Sequence, residues 1–145
     1  MHYYYDLDGT LVDFESQPNA LQRYNIERGF FKKLKATKHC NEVVKQLTDY
    51  SIIHILSTSP NEQATKDKIE WIKENLPNLP LENIHIVYDN KDKAQYAKGN
   101  VLIDDHTPNL IDWIKNNGHG IKAINKVNGK GGKHKRLGIS TIIVD

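Results

Sequence analysis

The stretch His2-Tyr-Tyr-Tyr-Asp-Leu-Asp-Gly-Thr10 is the part of the chain that decides the fold most directly. Its aromatic beginning, residues 2–7, predicts a short β-strand. Side chains alternate along a strand, so Asp6 and Asp8 should lie on the same side and face one ligand. Gly9 would then allow the backbone to turn sharply and approach that ligand closely. The sequence therefore predicts a first strand that ends at a polar site.

The chain beyond this stretch alternates predicted strands with predicted helices. Short apolar runs predict strands at residues 51–56, 84–88 and 100–103, and two late strands at 120–124 and 140–144. Apolar residues at helical spacing predict helices within residues 41–49 and 63–76, and Pro108 marks the first turn of another that stops near 116–118. This alternation predicts an α/β fold with a mostly parallel sheet and helices on both faces.

Polar clusters follow four of the predicted strands at the points where those strands end. They comprise Asp6 with Asp8, residues 57–59, residues 89–93, and Asp104 with Asp105. Parallel α/β sheets bind their ligands beyond the carboxyl ends of the strands, where the connecting loops converge. We therefore expect all four clusters to meet at one edge of the sheet.

The paired carboxylates of the first strand favour phosphate-ester chemistry. A carboxylate can attack phosphorus and form an aspartyl-phosphate, which splits a difficult hydrolysis into two easier displacements. Asp6 is the predicted nucleophile, and Asp8 would protonate the leaving oxygen and later deprotonate the attacking water. A simple strand-ending turn would also account for residues 8–10. The second pair, Asp104 and Asp105, favours a site, because it too follows an apolar strand.

A metal ion is expected among these carboxylates. Two acidic side chains beside a phosphate dianion would repel it unless a cation lies between them, and oxygen ligands of this kind suit Mg²⁺. The predicted metal-site residues are Asp6, Asp8, Asp104 and Asp105. Catalysis would then depend on stabilising charge on the transferring phosphoryl group.

These motifs resemble those of the haloacid dehalogenase-like phosphatase superfamily, whose first motif is Asp-x-Asp-Gly-Thr/Val after a hydrophobic strand. The resemblance implies a three-layer, Rossmann-like fold and a magnesium-dependent phosphatase. In its second motif, Thr58 within Leu56-Ser-Thr-Ser-Pro60 would bind phosphate, with Ser59 and the Gly9 turn beside it. Its lysine would be Lys93, with Lys91 and Lys98 as alternatives. Its fourth motif ranks Asp105 above Asp104 as the metal ligand, alongside Asp6 and the main-chain carbonyl of Asp8.

Residues 1–115 are most similar to the 5′(3′)-deoxyribonucleotidase-like group of this superfamily, which includes short bacterial and phage members. The resemblance rests on residues 6–14, 28–31, 55–60, 68–71 and 101–105. It implies a nucleoside monophosphate substrate, with Phe14, Phe30 and Phe31 bordering the nucleoside pocket. The segment between the first two motifs is shorter than in this group, and the residues after about 118 do not follow its pattern.

Length and composition predict one domain over residues 1–145 in a reducing compartment. Residues 14–40 would form a small cap, with an amphipathic helix at 25–34. Cys40 is the single cysteine, and no signal-like or membrane-spanning run is evident, so we expect a cytoplasmic protein. The formal charge of +2 gives no argument for a polyanionic partner. The oligomeric state stays open.

Two other functions remain open from the sequence. The basic, glycine-rich residues 125–136 predict a mobile loop, but their charge is compatible with a phosphatase acting on 3′ or 5′ ends of polynucleotides. A non-catalytic protein that keeps the fold and the metal is the third possibility. The presence of all four acids, Asp6, Asp8, Asp104 and Asp105, argues against it.

Overall fold

The computed structural model describes residues 1–14, 17–128 and 132–145, and its centre is a six-stranded sheet. The strands are β1 (Tyr3–Tyr5), β2 (Ile53–Thr58), β3 (Ile84–Val87), β4 (Val101–Asp104), β5 (His119–Ile124) and β6 (Ser140–Ile143). They are ordered β3-β2-β1-β4-β5-β6, and every neighbouring pair is parallel. The predicted α/β fold with a parallel sheet is confirmed.

The order in which the chain adds strands to the sheet reverses beside β1, near the centre of the sheet. From β1 the chain moves outward through β2 to β3, and it then returns to the other side of β1 as β4. Tyr5 lies opposite Ile55 of β2 and Ile103 of β4. Loops that leave β1 and β4 therefore diverge and open a crevice between them, which is where such sheets bind ligands. The first and fourth acidic motifs flank this crevice.

Helices cover both faces of the sheet, as the sequence predicts. They are α1 (Ala20–Ile26), α2 (Lys38–Glu42), α3 (Glu62–Asn75), α4 (Thr107–Lys115) and α5 (Lys133–Arg136). On one face, Trp71 and Ile72 of α3 pack with Leu7 and Ile55. On the other face, Leu110 and Trp113 of α4 pack with Tyr4, Leu56 and Leu102. Both tryptophans are fully buried, one in each of these two core clusters.

The two ends of the insertion between β1 and α2 lie side by side and are hydrogen-bonded to each other. Val12 pairs with Ala36 in an antiparallel bridge, and Asp13 N donates to Lys35 O at 2.9 Å. The predicted helix at 25–34 is replaced by α1 and a single 3₁₀ turn, Phe31–Lys33. Gly29 lies between them with φ of +77°, a conformation that cannot continue a right-handed helix. The assignment of residues 14–40 as a cap stays a prediction.

Other element boundaries also differ from those predicted. The first strand ends at Tyr5, because the carbonyl of Leu7 accepts hydrogen bonds from Thr10, Leu11 and Val12 and so folds the chain into a turn. Instead of one helix at 41–49, α2 begins earlier, at the Thr37 cap, and is followed by a 3₁₀ turn at Val44–Gln46. Thr37 Oγ1 accepts from Cys40 N at 3.3 Å, which fixes the earlier start.

The described parts of the basic segment at 125–136 have regular structure, whereas the sequence predicts a mobile loop. Residues 125–128 form a hydrogen-bonded turn, and α5 is one helical turn. Residues 129–131, including Lys130, lie outside the described residues. Within residues 1–14, 17–128 and 132–145, no helix has both the length and the apolar character needed to cross a bilayer.

Candidate active site

Asp6 is held at the end of β1 between the sheet and a buried lysine. Its main-chain N–H donates to Ile103 O at 2.8 Å, which anchors it beside β4. Its Oδ1 accepts a hydrogen bond from Lys93 Nζ at 2.9 Å. The side chain is nearly buried, and burial together with the nearby Asp104 carboxylate raises the pKa of Asp6 above the usual range of an aspartate. A cation beside Asp6 would favour its ionised form.

Lys93 connects the first and fourth motifs. It lies on the 3₁₀ segment Asn90–Tyr96 that follows β3, and its Nζ also donates to Asp104 Oδ2 at 3.0 Å. Burial opposes its charge, but the carboxylates of Asp104 and Asp6 outweigh this and raise the pKa of Lys93. Of the three candidate lysines, Lys91 and Lys98 are exposed, and Lys91 pairs with Asp89 at 3.6 Å. Lys93 is therefore the candidate that the fold brings into the site.

Asp104 and Asp105 follow β4 but occupy different environments. Asp104 is fully buried, and its Oδ2 accepts from Lys93 and Asn109 while its Oδ1 accepts from His106 N at 2.8 Å. Against the cost of burial, these donors hold the pKa of Asp104 below its usual range. Asp105 is partly exposed. One carboxylate oxygen from each of Asp6, Asp104 and Asp105 lies within 4.8 Å of the others, an arrangement that fits a cation with oxygen ligands.

Gly9 is packed against the Asp105 carboxylate. A Cβ atom at this position would lie 2.3 Å from Asp105 Oδ2, and the residue has φ of +77°. Both observations require glycine here. The turn that follows β1 is thus shaped to bring its main chain beside the carboxylate of the fourth motif.

Asp8 lies on the other side of the turn and contacts a lysine of α3. Its Oδ2 accepts from Lys68 Nζ at 3.3 Å. Its Oδ1 is buried and makes no hydrogen bond with any described residue. One oxygen of Asp8 is therefore oriented by a cation, and the rest of the side chain is partly exposed at the cavity.

Thr58 and Ser59, both predicted to bind phosphate, differ in their orientation. Thr58 ends β2 and lines the central cavity, where its Oγ1 donates to Asn90 Oδ1 at 2.6 Å. Ser59 is buried, its Oγ donates to Asn61 O at 3.0 Å, and its N–H donates to Val87 O. The structure brings Thr58 to the cavity but uses both donors of Ser59 elsewhere.

The central cavity has a volume of about 300 Å³ and is open to solvent above the carboxylates. Its lining residues are Asp6, Asp8, Phe14, Leu21, Tyr24, Thr58, Asn90, Lys93, Asp104, Asp105, His106 and Asn109. Phe14 is among them. Phe30 and Phe31 are not among the described lining residues, because their side chains are 2% and 1% exposed and pack in the core. Leu21 and Tyr24 of α1 form that wall instead.

Lys68 is the most prominent site residue that no chemical argument from the sequence identified. It is fully buried on α3 and donates to Ser57 Oγ at 2.7 Å and to Thr58 O at 2.6 Å, besides Asp8. Burial lowers the pKa of Lys68, and the Asp8 carboxylate opposes this shift. A signal was present, because Lys68 shares the apolar face of α3 with Ala64, Trp71 and Ile72.

Tyr24 connects α1 to the same network. Its hydroxyl donates to Thr58 O at 3.2 Å, and its ring lies 5.0 Å from Lys68 Nζ. Burial and the charges of Asp8 and Asp6 raise the pKa of Tyr24, so its hydroxyl stays protonated. The contact joins the insertion to the second motif, and no pattern in the sequence distinguishes this tyrosine from the other six.

Solved structures show that this is the fold of haloacid dehalogenase-like proteins. A HAD family hydrolase from Deinococcus radiodurans, solved with bound phosphate and sodium, superposes with a TM-score of 0.61 over 99% of this chain and 90% of its own, at 14% identity. A haloacid dehalogenase-like protein of unknown function from Agrobacterium tumefaciens superposes with a TM-score of 0.58 over 98% and 91%, also at 14% identity.

Sequence comparison narrows the class to one family. Residues 5–130 match the family model of the 5′ nucleotidase, deoxy (pyrimidine), cytosolic type C protein, and the chain belongs to this family. A Staphylococcus aureus protein named "Putative 5'(3')-deoxyribonucleotidase" is 34% identical over 85 residues, 58% of this chain and 45% of that protein. A protein of the same name from Vibrio phage KVP40 is 29% identical over 117 residues, 73% and 66% respectively. The chain thus matches less than half the length of the staphylococcal relative.

Proposed function

We propose that this chain is a magnesium-dependent phosphomonoesterase that forms an aspartyl-phosphate on Asp6. The proposal rests on the position of Asp6 in the open cavity. Its carboxylate accepts a hydrogen bond from Lys93 and lies close to the carboxylates of Asp104 and Asp105. A nucleophilic carboxylate needs cationic neighbours to approach a phosphate dianion. Lys93 is one such neighbour, and the carboxylate cluster fits a second.

Three groups of this chain would hold Mg²⁺, namely the Asp6 carboxylate, the Asp8 carbonyl and the Asp105 carboxylate. Asp105 is favoured over Asp104, because Asp105 is partly exposed, whereas Asp104 is fully buried with Lys93, Asn109 and His106 N donating to it. When bound, the ion would offset the negative charge of the phosphate, of Asp6 as the nucleophile and of Asp8 as the proton-transfer group.

In the first step, a carboxylate oxygen of Asp6 forms a bond to phosphorus while the bond from phosphorus to the ester oxygen breaks. Asp8, whose side chain is partly exposed and lines the cavity, gives its proton to the leaving oxygen. Lys68 donates to Oδ2 of Asp8 and so orients its carboxyl group. Thr58 and Lys93 would hold the phosphoryl oxygens during transfer.

In the second step, Asp8 takes a proton from water as the water oxygen attacks phosphorus. The bond between phosphorus and Asp6 breaks, phosphate is released, and the Asp6 carboxylate is regenerated. Lys93 remains hydrogen-bonded to both Asp6 and Asp104 in the resting site, so the nucleophile returns to the same orientation. Each group therefore ends the cycle in its starting state.

We propose nucleoside monophosphates as substrates, on the basis of the family and of the cavity. Phe14, Leu21 and Tyr24 give one apolar wall of the 300 Å³ cavity, which suits a base or a sugar beside the phosphate. A neighbouring groove of about 370 Å³ shares Asn90, His106 and Asn109 with this cavity and is also lined by Asp89, Lys91 and Asp112. Lys91 pairs with Asp89 and leaves the Asp112 carboxylate as a net negative charge, which gives a polynucleotide backbone no basic surface there. The cytoplasmic location expected from the single cysteine stays a prediction.

The proposal is tested by phosphate release from nucleoside monophosphates, sugar phosphates and oligonucleotides phosphorylated at the 3′ or 5′ end, each with and without Mg²⁺. We expect release from nucleoside monophosphates that is lost on chelation and in Asp6→Asn. Faster release from oligonucleotides, falling steeply with salt, would favour the polynucleotide phosphatase instead. No release from any substrate by protein that binds Mg²⁺ would favour a non-catalytic binding protein.

A further inference from the structure

The residues after β5, which the sequence predicts as a mobile loop, contact the acidic site directly. Asn125 follows β5 and is 8% exposed. Its Nδ2 donates to Gly9 O at 3.0 Å and to Asp105 Oδ2 at 3.4 Å. A single amide group thus joins the turn after β1 to the carboxylate after β4. These are the two motifs that would share the metal.

The orientation of the Asn125 amide is fixed by its own turn. Its Oδ1 accepts from the main-chain N–H groups of Val127, at 2.9 Å, and Asn128, at 3.0 Å. Both of those groups are donors, so the oxygen must face them and the Nδ2 must face Gly9 and Asp105. Asn128 closes the turn, since its Oδ1 accepts from Asn125 N at 2.8 Å.

The main chain of Asp105 is held by the same segment. Lys122 of β5 donates from Nζ to Asp105 O and, at 2.9 Å, to Thr107 Oγ1. Asn128 Nδ2 donates to Asp105 O at 3.2 Å and to Ala123 O at 3.0 Å. The carbonyl and the carboxylate of Asp105 are therefore both restrained by donors from residues 122–128.

We propose that Asn125, supported by Asn128, is a positioning residue for metal binding, which holds the Asp105 carboxylate against the Gly9 turn. The inference rests on the proposed function, because it takes Asp105 to be a metal ligand. An amide suits this role, since it orients a carboxylate while leaving its full negative charge for the cation. Partners of this kind around metal ligands typically change metal affinity by about 10- to 100-fold when they are removed.

The test is a direct titration of the protein with Mn²⁺ in the absence of substrate. Binding is monitored through the electron paramagnetic resonance signal of the free ion. The proteins are the wild type, Asn125→Ala, Asn128→Ala and a matched control, Asn83→Ala. Asn83 is an equally buried asparagine at the other end of the sheet, where its Nδ2 donates to the carbonyls of Tyr50, Ser51 and Ile53. Urea unfolding of each protein separates stability from affinity.

We expect Asn125→Ala to raise the Kd for Mn²⁺ by about tenfold or more, and Asn128→Ala to raise it by less. Asn83→Ala should be less stable but should bind Mn²⁺ like the wild type. A destabilised Asn125→Ala with an unchanged Kd would overturn the inference and leave the proposed function intact. If Asn125→Ala does not fold, an unchanged Kd in Asn128→Ala overturns it in the same way. A wild type that binds no Mn²⁺ would overturn the metal site itself.

Discussion

Lys93 Nζ lies 2.9 Å from Asp6 Oδ1, although the two residues are 87 positions apart in the sequence. The same Nζ lies 3.0 Å from Asp104 Oδ2, so one buried cation is paired with two carboxylates at the ends of neighbouring strands. The contact is possible because β3, which precedes Lys93, and β1 end at the same edge of a parallel sheet. It joins three of the four sequence motifs into one electrostatic unit.

Lys93→Met should abolish phosphatase activity and destabilise the protein. Without the cation, Asp6 and Asp104 would be buried carboxylates with no charge partner, and breaking a buried pair in this way typically costs about 3–5 kcal/mol. Urea unfolding in the presence of a chelator measures this change in the free energy of unfolding. Lys91→Met, at an exposed position beside Asp89, should change it by less than about 0.5 kcal/mol. Equal effects from both variants would contradict the electrostatic account.

Lys68→Met should lower kcat more than it changes KM. The substitution removes the donor that orients Asp8, and a hydrogen bond to a charged group is worth about 1.5–3 kcal/mol, or about ten- to a hundredfold in rate. Steady-state kinetics of Lys68→Met, Asp8→Asn and the double variant measure the coupling. The double variant should be no slower than Asp8→Asn alone. Lys66→Met, an exposed lysine of the same helix, serves as the control.

Gly9→Ala should weaken metal binding, because the added Cβ would lie 2.3 Å from Asp105 Oδ2. It should also cost about 1–2 kcal/mol of stability from the left-handed backbone conformation. Gly99→Ala is a matched control, since Gly99 has φ of +75° and a Cβ there would meet nothing within 4 Å. Both variants should lose this backbone contribution by urea unfolding, and Gly9→Ala should lose more, because its Cβ also displaces the Asp105 carboxylate. Only Gly9→Ala should show a raised Mg²⁺ requirement, and a shared increase would contradict the close packing.

A row of three histidines at the opposite end of the sheet should make stability fall at acid pH. His54 lies between the other two: its Nε2 is 2.7 Å from His2 Nδ1, and its Nδ1 is 2.9 Å from His85 Nε2. Burial, together with His85 and His2, lowers the pKa of His54 from 6.5 to about 4. Above pH 6.5 the imidazole is neutral in both states, so folding is not penalised. As the pH falls from 6.5 toward 4, the unfolded state gains a proton that the folded state does not.

His54→Phe should accordingly reduce the loss of stability between pH 6.5 and about 4. The measurement is the free energy of unfolding in urea at several pH values across this range, for the wild type and the variant. His119→Gln, at an exposed position, controls for loss of a histidine as such. A His54→Phe protein with the same pH dependence as the wild type would contradict the low pKa of His54.

The acidic site was predictable from the sequence because the end of a strand is visible as an apolar run followed by polar residues. Asp6, Asp8, Asp104 and Asp105 each follow an apolar run, and a parallel sheet brings such ends to one edge. Lys93 was identified with two competitors, and its burial and its contacts with Asp6 and Asp104, which no local pattern shows, separate it from Lys91 and Lys98. The fold class followed from the alternation of strands and helices, since that pattern is local.

The remaining features depend on contacts between segments far apart in the chain. The helix expected at 25–34 gave way to α1, because Gly29 interrupts the pattern and the insertion is held by Tyr24 and by the pairing of Val12 with Ala36. Asn125 and Asn128 act through side-chain amides on main-chain groups more than 20 residues away, a relationship with no periodic signal. Phe30 and Phe31 were expected at the pocket but are buried in the core. Their aromatic side chains suit either environment, so the sequence alone does not distinguish the two.

The identity of the nucleophile is tested most directly by trapping the covalent intermediate. Protein mixed with a radiolabelled nucleoside monophosphate and Mg²⁺ is quenched in acid within the first turnover, and the labelled peptide is identified. We predict a label that hydroxylamine removes, as expected for an acyl phosphate, on the peptide containing Asp6, and none in Asp6→Asn. A label on another residue, or full phosphate release by Asp6→Asn, would contradict the proposal that Asp6 attacks the phosphorus.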